Sequence, residues 1–245
     1  MTPTSSASRI LALPLSLATV TLFIFILIAP AARAQNPQLQ ERVAEIKQSM
    51  ARNKQALAQY TWQEQETISI KGEVKKQKLF QVQIGPDGKP QKTEIDAPSD
   101  SSDGGRKHGL KHRIKEEKKE EYEDYGKEIA ELAEGYIQQD PEKLQLLYEQ
   151  GNVILQSAGA PGEIRIVIQN YLKQGDSVTL IFSQPQHAVQ SMQISSYLSD
   201  PSDAVKITAQ FARLPNGPNH AYDVLVNGES KQLTVEMQNS NYQHM

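Results

Sequence analysis

The last third of the chain alternates apolar and polar residues with a period of two. Its clearest pieces are Val205-Lys-Ile-Thr-Ala-Gln-Phe211 and Leu233-Thr-Val-Glu-Met237. Such alternation sends one set of side chains to a buried face and the other to solvent. Residues 162–237 therefore read as consecutive strands of one antiparallel sheet. Strands are predicted near 152–157, 163–171, 176–183, 187–197, 203–213, 219–226 and 230–238. Turn chemistry separates them at Lys173-Gln-Gly-Asp176, Asp200-Pro201, Pro215-Asn-Gly-Pro218 and Asn227-Gly228, the last being the strongest hairpin signal.

The earlier chain changes period. Leu39, Val43, Ile46, Met50 and Leu57 form an apolar stripe and predict a helix over 37–59, with Asn36 as N-cap and Pro37 at its first position. Tyr60, Trp62, Ile68 and Ile70 then share one side of a strand that Glu64 and Glu66 interrupt. Lys71-Gly72 turns the chain back through Phe80, Val82 and Ile84, which makes a hairpin. Gly85-Pro-Asp-Gly88 is a turn before a short strand at 91–95. Residues 96–109 are loop-like in composition. A charged helix over 110–139 follows, basic at Arg106, Lys107, Lys111, Arg113 and Lys115, then acidic from Glu116 to Asp124. Its second half acquires an apolar stripe at Tyr125, Ile129, Leu132, Ala133 and Tyr136, so the helix is expected to project at its start and dock at its end. Asp140-Pro141 opens a further short helix that Gly151 stops. The absence of any βαβ pattern makes the class α+β, a curved antiparallel sheet in an unclosed barrel, covered by an N-terminal helix and a helical insertion at about 96–150.

The first 34 residues look like a targeting segment. Arg9 precedes an apolar run over 10–29, and Ala32 and Ala34 fit a small-residue cleavage site, which places the cut between Ala34 and Gln35. The alternative is an uncleaved anchor, since the run approaches the ~20 residues a membrane helix needs. Cleavage takes Arg9 and Arg33 from the 26 basic residues and leaves 24 against 29 acidic ones. The mature chain, 35–245, is then one mildly acidic domain without a stable transmembrane span, a composition that argues against nucleic acid as partner. The predicted address is periplasmic or secreted. The chain has no cysteine, so neither a disulfide framework nor a lipid-modified N-terminal cysteine is available.

Candidate chemistry is sparse. His108 and His112 stand at a helical spacing that suits a shared metal, but Gly109 and the surrounding lysines and arginines oppose a cation, so no metal and no cofactor are assigned. Glu64 and Glu66 are the one carboxylate pair in an otherwise apolar register and would serve as general acid and base in a hydrolase; such residues more often mark a strand emerging into water. No nucleophile elbow or phosphate-binding loop occurs, and no catalytic residue is assigned. His187 and His220 read as surface residues at strand starts. The remaining candidate is the sheet face. Trp62, Phe80, Phe182, Met192, Phe211, Tyr222 and Met237 supply large or adaptable side chains that line either a plain core or a cavity for an acyl chain.

The order helix, hairpin, helical insertion, antiparallel strands resembles the LolA/LolB-like fold of periplasmic lipoprotein carriers. The likeness rests on the helix over 39–57, Tyr60-Thr-Trp62 and the turn Gly85-Pro-Asp-Gly88. The resemblance implies an unclosed barrel whose helices lie over a hydrophobic cavity, with a lipid or lipoprotein acyl chain as partner. The charged block from Arg106 to Asp124 departs from that pattern. Tyr60-Thr-Trp62, that block, Asp140-Pro-Glu-Lys-Leu144, Asn170-Tyr-Leu-Lys173, Asp200-Pro201 and Asn239-Ser-Asn-Tyr242 also resemble uncharacterised secreted proteins of acidobacteria, which implies a secreted address and brings no assigned activity with it. The resulting expectation is a non-enzymatic carrier or sensor of an apolar ligand. The alternative is an envelope scaffold that meets another envelope protein through the charged helix.

Overall fold

The computed structural model describes residues 37–95, 110–137, 141–215 and 217–245. The leader, the cleavage site at Ala34 and Gln35, the Asn36 cap, the Asp140 cap, His108 and the loop over 96–109 lie outside the described residues. So does the side chain of His112.

The helices are α1 (Pro37–Leu57), α2 (Leu110–Ile137) and α3 (Pro141–Glu149). The strands are β1 (Tyr60–Ile70), β2 (Glu73–Ile84), β3 (Pro90–Ile95), β4 (Val153–Ser157), β5 (Glu163–Gln169), β6 (Ser177–Ser183), β7 (Ala188–Tyr197), β8 (Ala204–Arg213), β9 (Asn219–Gly228) and β10 (Leu233–His244). They form one antiparallel sheet in the order β3-β2-β1-β10-β9-β8-β7-β6-β5-β4. The two ends of that order do not pair, so the sheet is open. The late strands meander, and the early hairpin attaches to the last strand through Ile70↔Leu233 and Ile68↔Val235.

The predicted alternation holds across the sheet. Ile168, Val178, Ile194, Ile207 and Val226 stand in register on one face, all buried. Gln193, Thr208 and Lys206 point to the other. All three helices bury their stripes against the first face: Ile46 from α1, Tyr125, Ile129 and Tyr136 from α2, and Leu147 and Tyr148 from α3 join a single core. The docking of the second half of α2 is as the sequence predicted. Lys127 pairs with Asp124 at 2.8 Å on its exposed side.

The hairpin signal at Asn227-Gly228 requires correction. Both residues are in β9 and pair with Thr234 and Leu233. The reversal falls later, over residues 229–232, where Gln232 takes a φ of 50° and donates its N–H to Glu229 O at 3.2 Å. Gly228 is needed for another reason. A Cβ there would stand 2.6 Å from Ile129 Cδ1 and 2.6 Å from the Tyr125 hydroxyl, so glycine lets α2 lie directly on the strand. Lys71-Gly72 and Gly85-Pro-Asp-Gly88 turn as predicted, with φ of 53° and 79° in the first and a Gly88 N–H to Gly85 O bond of 2.9 Å in the second.

Buried polar ties fix the helices. Asp176, 2% exposed, accepts the backbone N–H groups of Tyr171 (2.5 Å), Leu172 (2.8 Å) and Lys173 (2.9 Å), closing the β5–β6 turn. It also accepts the Tyr136 hydroxyl at 2.6 Å, and Tyr136 shares a 2.8 Å bond with Ser196 Oγ on β7. Burial first, and the Asp176 hydrogen bond second, push the Tyr136 phenol well above its ordinary range. Replacing Asp176 by Ala leaves three N–H groups and a phenol without their acceptor. The expected loss in urea unfolding is about 3 kcal/mol or more, and Tyr136→Phe, which removes one hydroxyl shared by Asp176 and Ser196, should cost about 1–2 kcal/mol.

Candidate functional site

The helix-covered face has two anchored ends. At one end α1 is tied down: Ser49 Oγ donates to His187 O, Asn53 Nδ2 donates to Asn219 O (2.8 Å), and Asn219 N–H donates back to Asn53 Oδ1 (2.6 Å). The Asn53 amide thus imitates a strand pairing with Asn219, and Glu45 meets His187 Nδ1 at 2.8 Å. At the other end α2 is tied through Tyr125 to Asp203 (2.8 Å) and Ser230 (3.1 Å), and through Tyr136 to Ser196.

Between these ends runs the row Leu180–Met192–Ala209–Val224–Met237, five strands in register. Leu180 and Ala209 are buried, but Met192, Val224 and Met237 are only half-buried, unlike the neighbouring row at Ile194, Ile207 and Val226. Met50 of α1 and Leu132 and Ala133 of α2 are likewise half-buried against the core. Three of the five positions of this row, midway between the helix anchors, are therefore incompletely covered. Apart from this row, an apolar recess of about 390 Å³ lies where Ala51, Lys54 and Ala58 of α1 meet Ile84 and Pro86 of the β2–β3 turn.

The row ends in charge. Met237 faces Glu66, and Glu66 faces Lys78. One step along, Asn239, Glu64, Phe80 and Glu94 stand abreast, followed by Trp62, Val82 and Lys92. Glu64 is 6% exposed and ion-paired to Lys92, whose Nζ lies 3.9 Å from Glu66. Lys78 pairs with Glu94, and both ammonium groups sit over the Phe80 ring, at 5.4 and 5.6 Å from its centre. Glu64 thus does not mark a strand emerging into water, as its place in the sequence suggested. It is a buried carboxylate neutralised from the edge strand.

Beside it, Trp62 stacks on Tyr242 at 5.5 Å and donates its indole N–H to Asn239 Oδ1 at 3.1 Å. His220 lies 4.2 Å from Tyr242. Burial pushes the Tyr242 phenol up, and the charge of Glu64 pushes it further. His220 also corrects its surface reading: it is 8% exposed and its Nδ1 has no partner among the described residues. The surface reading rested on its place at the start of β9, next to a turn, where the Tyr242 ring covers it instead.

The sheet-face residues separate accordingly. Phe182 is fully buried core. Met192, Phe211 and Met237 pack half-buried against the core. Trp62 and Phe80 belong to the aromatic and charged wing of β1, β2 and β3. Tyr222 occupies the β9 bulge and is 44% exposed, away from the others. Among the described residues no group of three or more metal-ligating side chains occurs, and no helix is long and apolar enough to cross a membrane.

No protein-family model and no curated protein matches the chain. Two solved structures are similar to it. A DUF1329 family protein from Desulfovibrio piger aligns with 82% of this chain and 92% of its own at 10% identity and a TM-score of 0.39. A LolA superfamily protein from Nitrosomonas europaea aligns with 82% and 93% at 8% identity and a TM-score of 0.37. At these identities neither similarity transfers a residue role. The resemblance to secreted acidobacterial proteins finds no support in these comparisons.

Two outcomes test the wing. Lys92→Met strands the buried Glu64 charge. It should cost about 1–2 kcal/mol, below the figure for a wholly buried pair because Lys92 keeps a third of its side chain in water. Glu64→Gln in the same chain should restore most of that loss. His220 is held below its ordinary value of 6.5, chiefly by burial, with a backbone contact at Ala212 opposing. As pH falls below 6.5 the unfolded chain takes up the proton before the folded one, so stability drops until the depressed value is passed. Thermal melts should show this slope flattened in His220→Phe, which keeps the ring on Tyr242.

Proposed function

We propose that the protein is an exported, non-enzymatic binder of a lipid or other apolar ligand, which lies between the sheet and its helices. One observation supports the reading above others: Met192, Val224 and Met237, in one row of an apolar face whose two ends are pinned by α1 and α2, are only half-buried. A plain core would bury this row as fully as Ile194, Ile207 and Val226. The two methionines suit an adaptable surface, since an unbranched thioether refits to chains of varied shape. The anchors favour access. α1 is held by hydrogen bonds at Ser49 and Asn53, groups that can exchange with water, as well as by its buried Ile46.

The carboxylates give little ground for an enzyme. Glu64 is ion-paired to Lys92, whose Nζ also lies 3.9 Å from Glu66, so one lysine holds both carboxylates of the pair. Export rests on the leader pattern before Gln35 and would place the carrier in the periplasm or outside the cell.

Protein isolated from its own envelope should carry an organic-extractable lipid in native mass spectrometry. The lipid-free form should bind a fluorescent fatty-acid analogue. Met237→Glu and Phe211→Glu, folded by circular dichroism, should each weaken that binding about tenfold or more, the cost of setting a charge against an apolar chain. Gln238→Glu on the opposite face should leave it unchanged. A protein that carries nothing and binds no analogue, or one whose Met237→Glu form binds as well as wild type, is no carrier.

A further inference from the structure

The two free edges of the sheet are built differently. β3 begins with Pro90, which has no N–H to offer, and carries Lys92 and Glu94; these are devices that keep an edge from pairing with another chain. β4, Val153-Ile-Leu-Gln-Ser157, has no proline and no charge, and its register with β5 runs without a bulge. The backbone of Asn152 and Ala158 points toward β5, through Gln169 N–H to Asn152 O (2.8 Å) and Ala158 N–H to Glu163 O (3.1 Å). Alternation then turns the N–H and C=O groups of Val153, Leu155 and Ser157 away from β5. No other described strand takes them up. The helix leading into this edge adds a second feature. Leu146 of α3 is 53% exposed, one of few large apolar side chains so open, while its neighbours Leu147 and Tyr148 are buried.

We propose that β4 is a pairing surface for a second copy of this chain, joining two sheets edge to edge about a two-fold axis. The strand is complementary to itself. Antiparallel pairing centred on Leu155 sets Leu155 against its own copy and Val153 against Ser157. All three outward-pointing residues then meet outward-pointing partners. Ile154 falls opposite Gln156, so no like charges face each other across the axis. The same contact brings the α3 helices and their exposed Leu146 side chains to the two sides of the joined edge. The blunted β3 edge explains why the partner is a second β4. Pairing β4 with β3 would repeat head to tail into a filament, and Pro90, Lys92 and Glu94 oppose it. The result is a closed pair with β3 strands at its outer ends.

Sedimentation and light scattering of the whole chain across roughly 1–100 µM should show monomer passing to dimer and no larger species. Ser157→Pro removes an outward donor at an exposed position, and Leu146→Lys charges the helix. Each should weaken dimerisation about tenfold or more with an unchanged far-ultraviolet spectrum. Glu94→Pro, which removes an outward donor of β3, should have no effect on dimerisation. In the wild-type dimer the Leu155 amide should exchange slowly, and it should exchange fast on dilution to monomer; this holds as a test even if a variant misfolds. A chain that stays monomeric at the highest concentration, one that builds larger species, or a dimer broken by Glu94→Pro and untouched by Ser157→Pro overturns the proposal.

Discussion

An open antiparallel sheet of ten strands has one face that its own strands cannot hide. Every second residue from β4 through β10 adds apolar surface to that face, and water must be kept from most of it for the chain to fold. A closed barrel would enclose the surface by curling the sheet on itself. Here β3 and β4 do not meet, so the cover has to come from outside the sheet. The three helices supply it with narrow stripes, Ile46, then Tyr125, Ile129 and Tyr136, then Leu147 and Tyr148. A helix stripe spans about 100° of its circumference and cannot blanket a sheet this wide. Between two helices anchored at opposite strand ends, Met192, Val224 and Met237 stay only half-buried.

The polar ties make sense under that constraint. Burial alone does not hold a helix at one place along a ridge of leucines and isoleucines, because apolar contacts are non-directional. Asp176 gives direction: its carboxylate gathers three backbone N–H groups and the Tyr136 hydroxyl, which fixes the end of α2 to one turn. Gly228 fixes its middle by admitting Ile129 and Tyr125 to the strand. The α1 ties are of another kind, an asparagine amide and a serine hydroxyl against strand-end backbone. They specify position without the charged, fully desolvated contacts that hold α2. The two helices are thus fastened with different firmness over the same apolar face.

Much of this was legible in the sequence. The strict alternation of 205–211 and 233–237, the stripe from Tyr125 to Tyr136 and the glycine turns at 72 and 88 depend on neighbours within a few residues, and they came out as read. What was not legible depends on distant pairing. Nothing within β1 says that its partner is β10, so the place of Glu64 under Lys92 could not be seen, and its charge was mistaken for a sign of exposure. His220 was read as exposed from its place at a strand start, and the ring that covers it, Tyr242, comes from β10. Gly228 was read as a turn former because glycine serves both backbone freedom and close approach, and only the helix lying on it distinguishes the two.

The charged wing constrains what the apolar row can accept. Met237 stands directly against Glu66, and Lys78 and Lys92 lie on the Phe80 ring beyond it. An apolar chain lying along the row therefore meets a polar boundary at β1 and cannot continue across β2 and β3 without desolvating paired charges, which costs several kcal/mol per ion even after relaxation. At the other end Leu180 and Ile166 are buried core, closed to a ligand. The accessible length is set between these limits, across β7, β8, β9 and β10. With neighbouring strands about 4.8 Å apart, four strands span on the order of 15 Å. On the proposed reading, that span suits an acyl chain or a compact apolar ring system lying across the strands. The same geometry explains why the large aromatic residues do not mark the site. Trp62, Phe80 and Tyr242 are engaged in stabilising the wing, and the surface left adaptable is lined by methionine and valine.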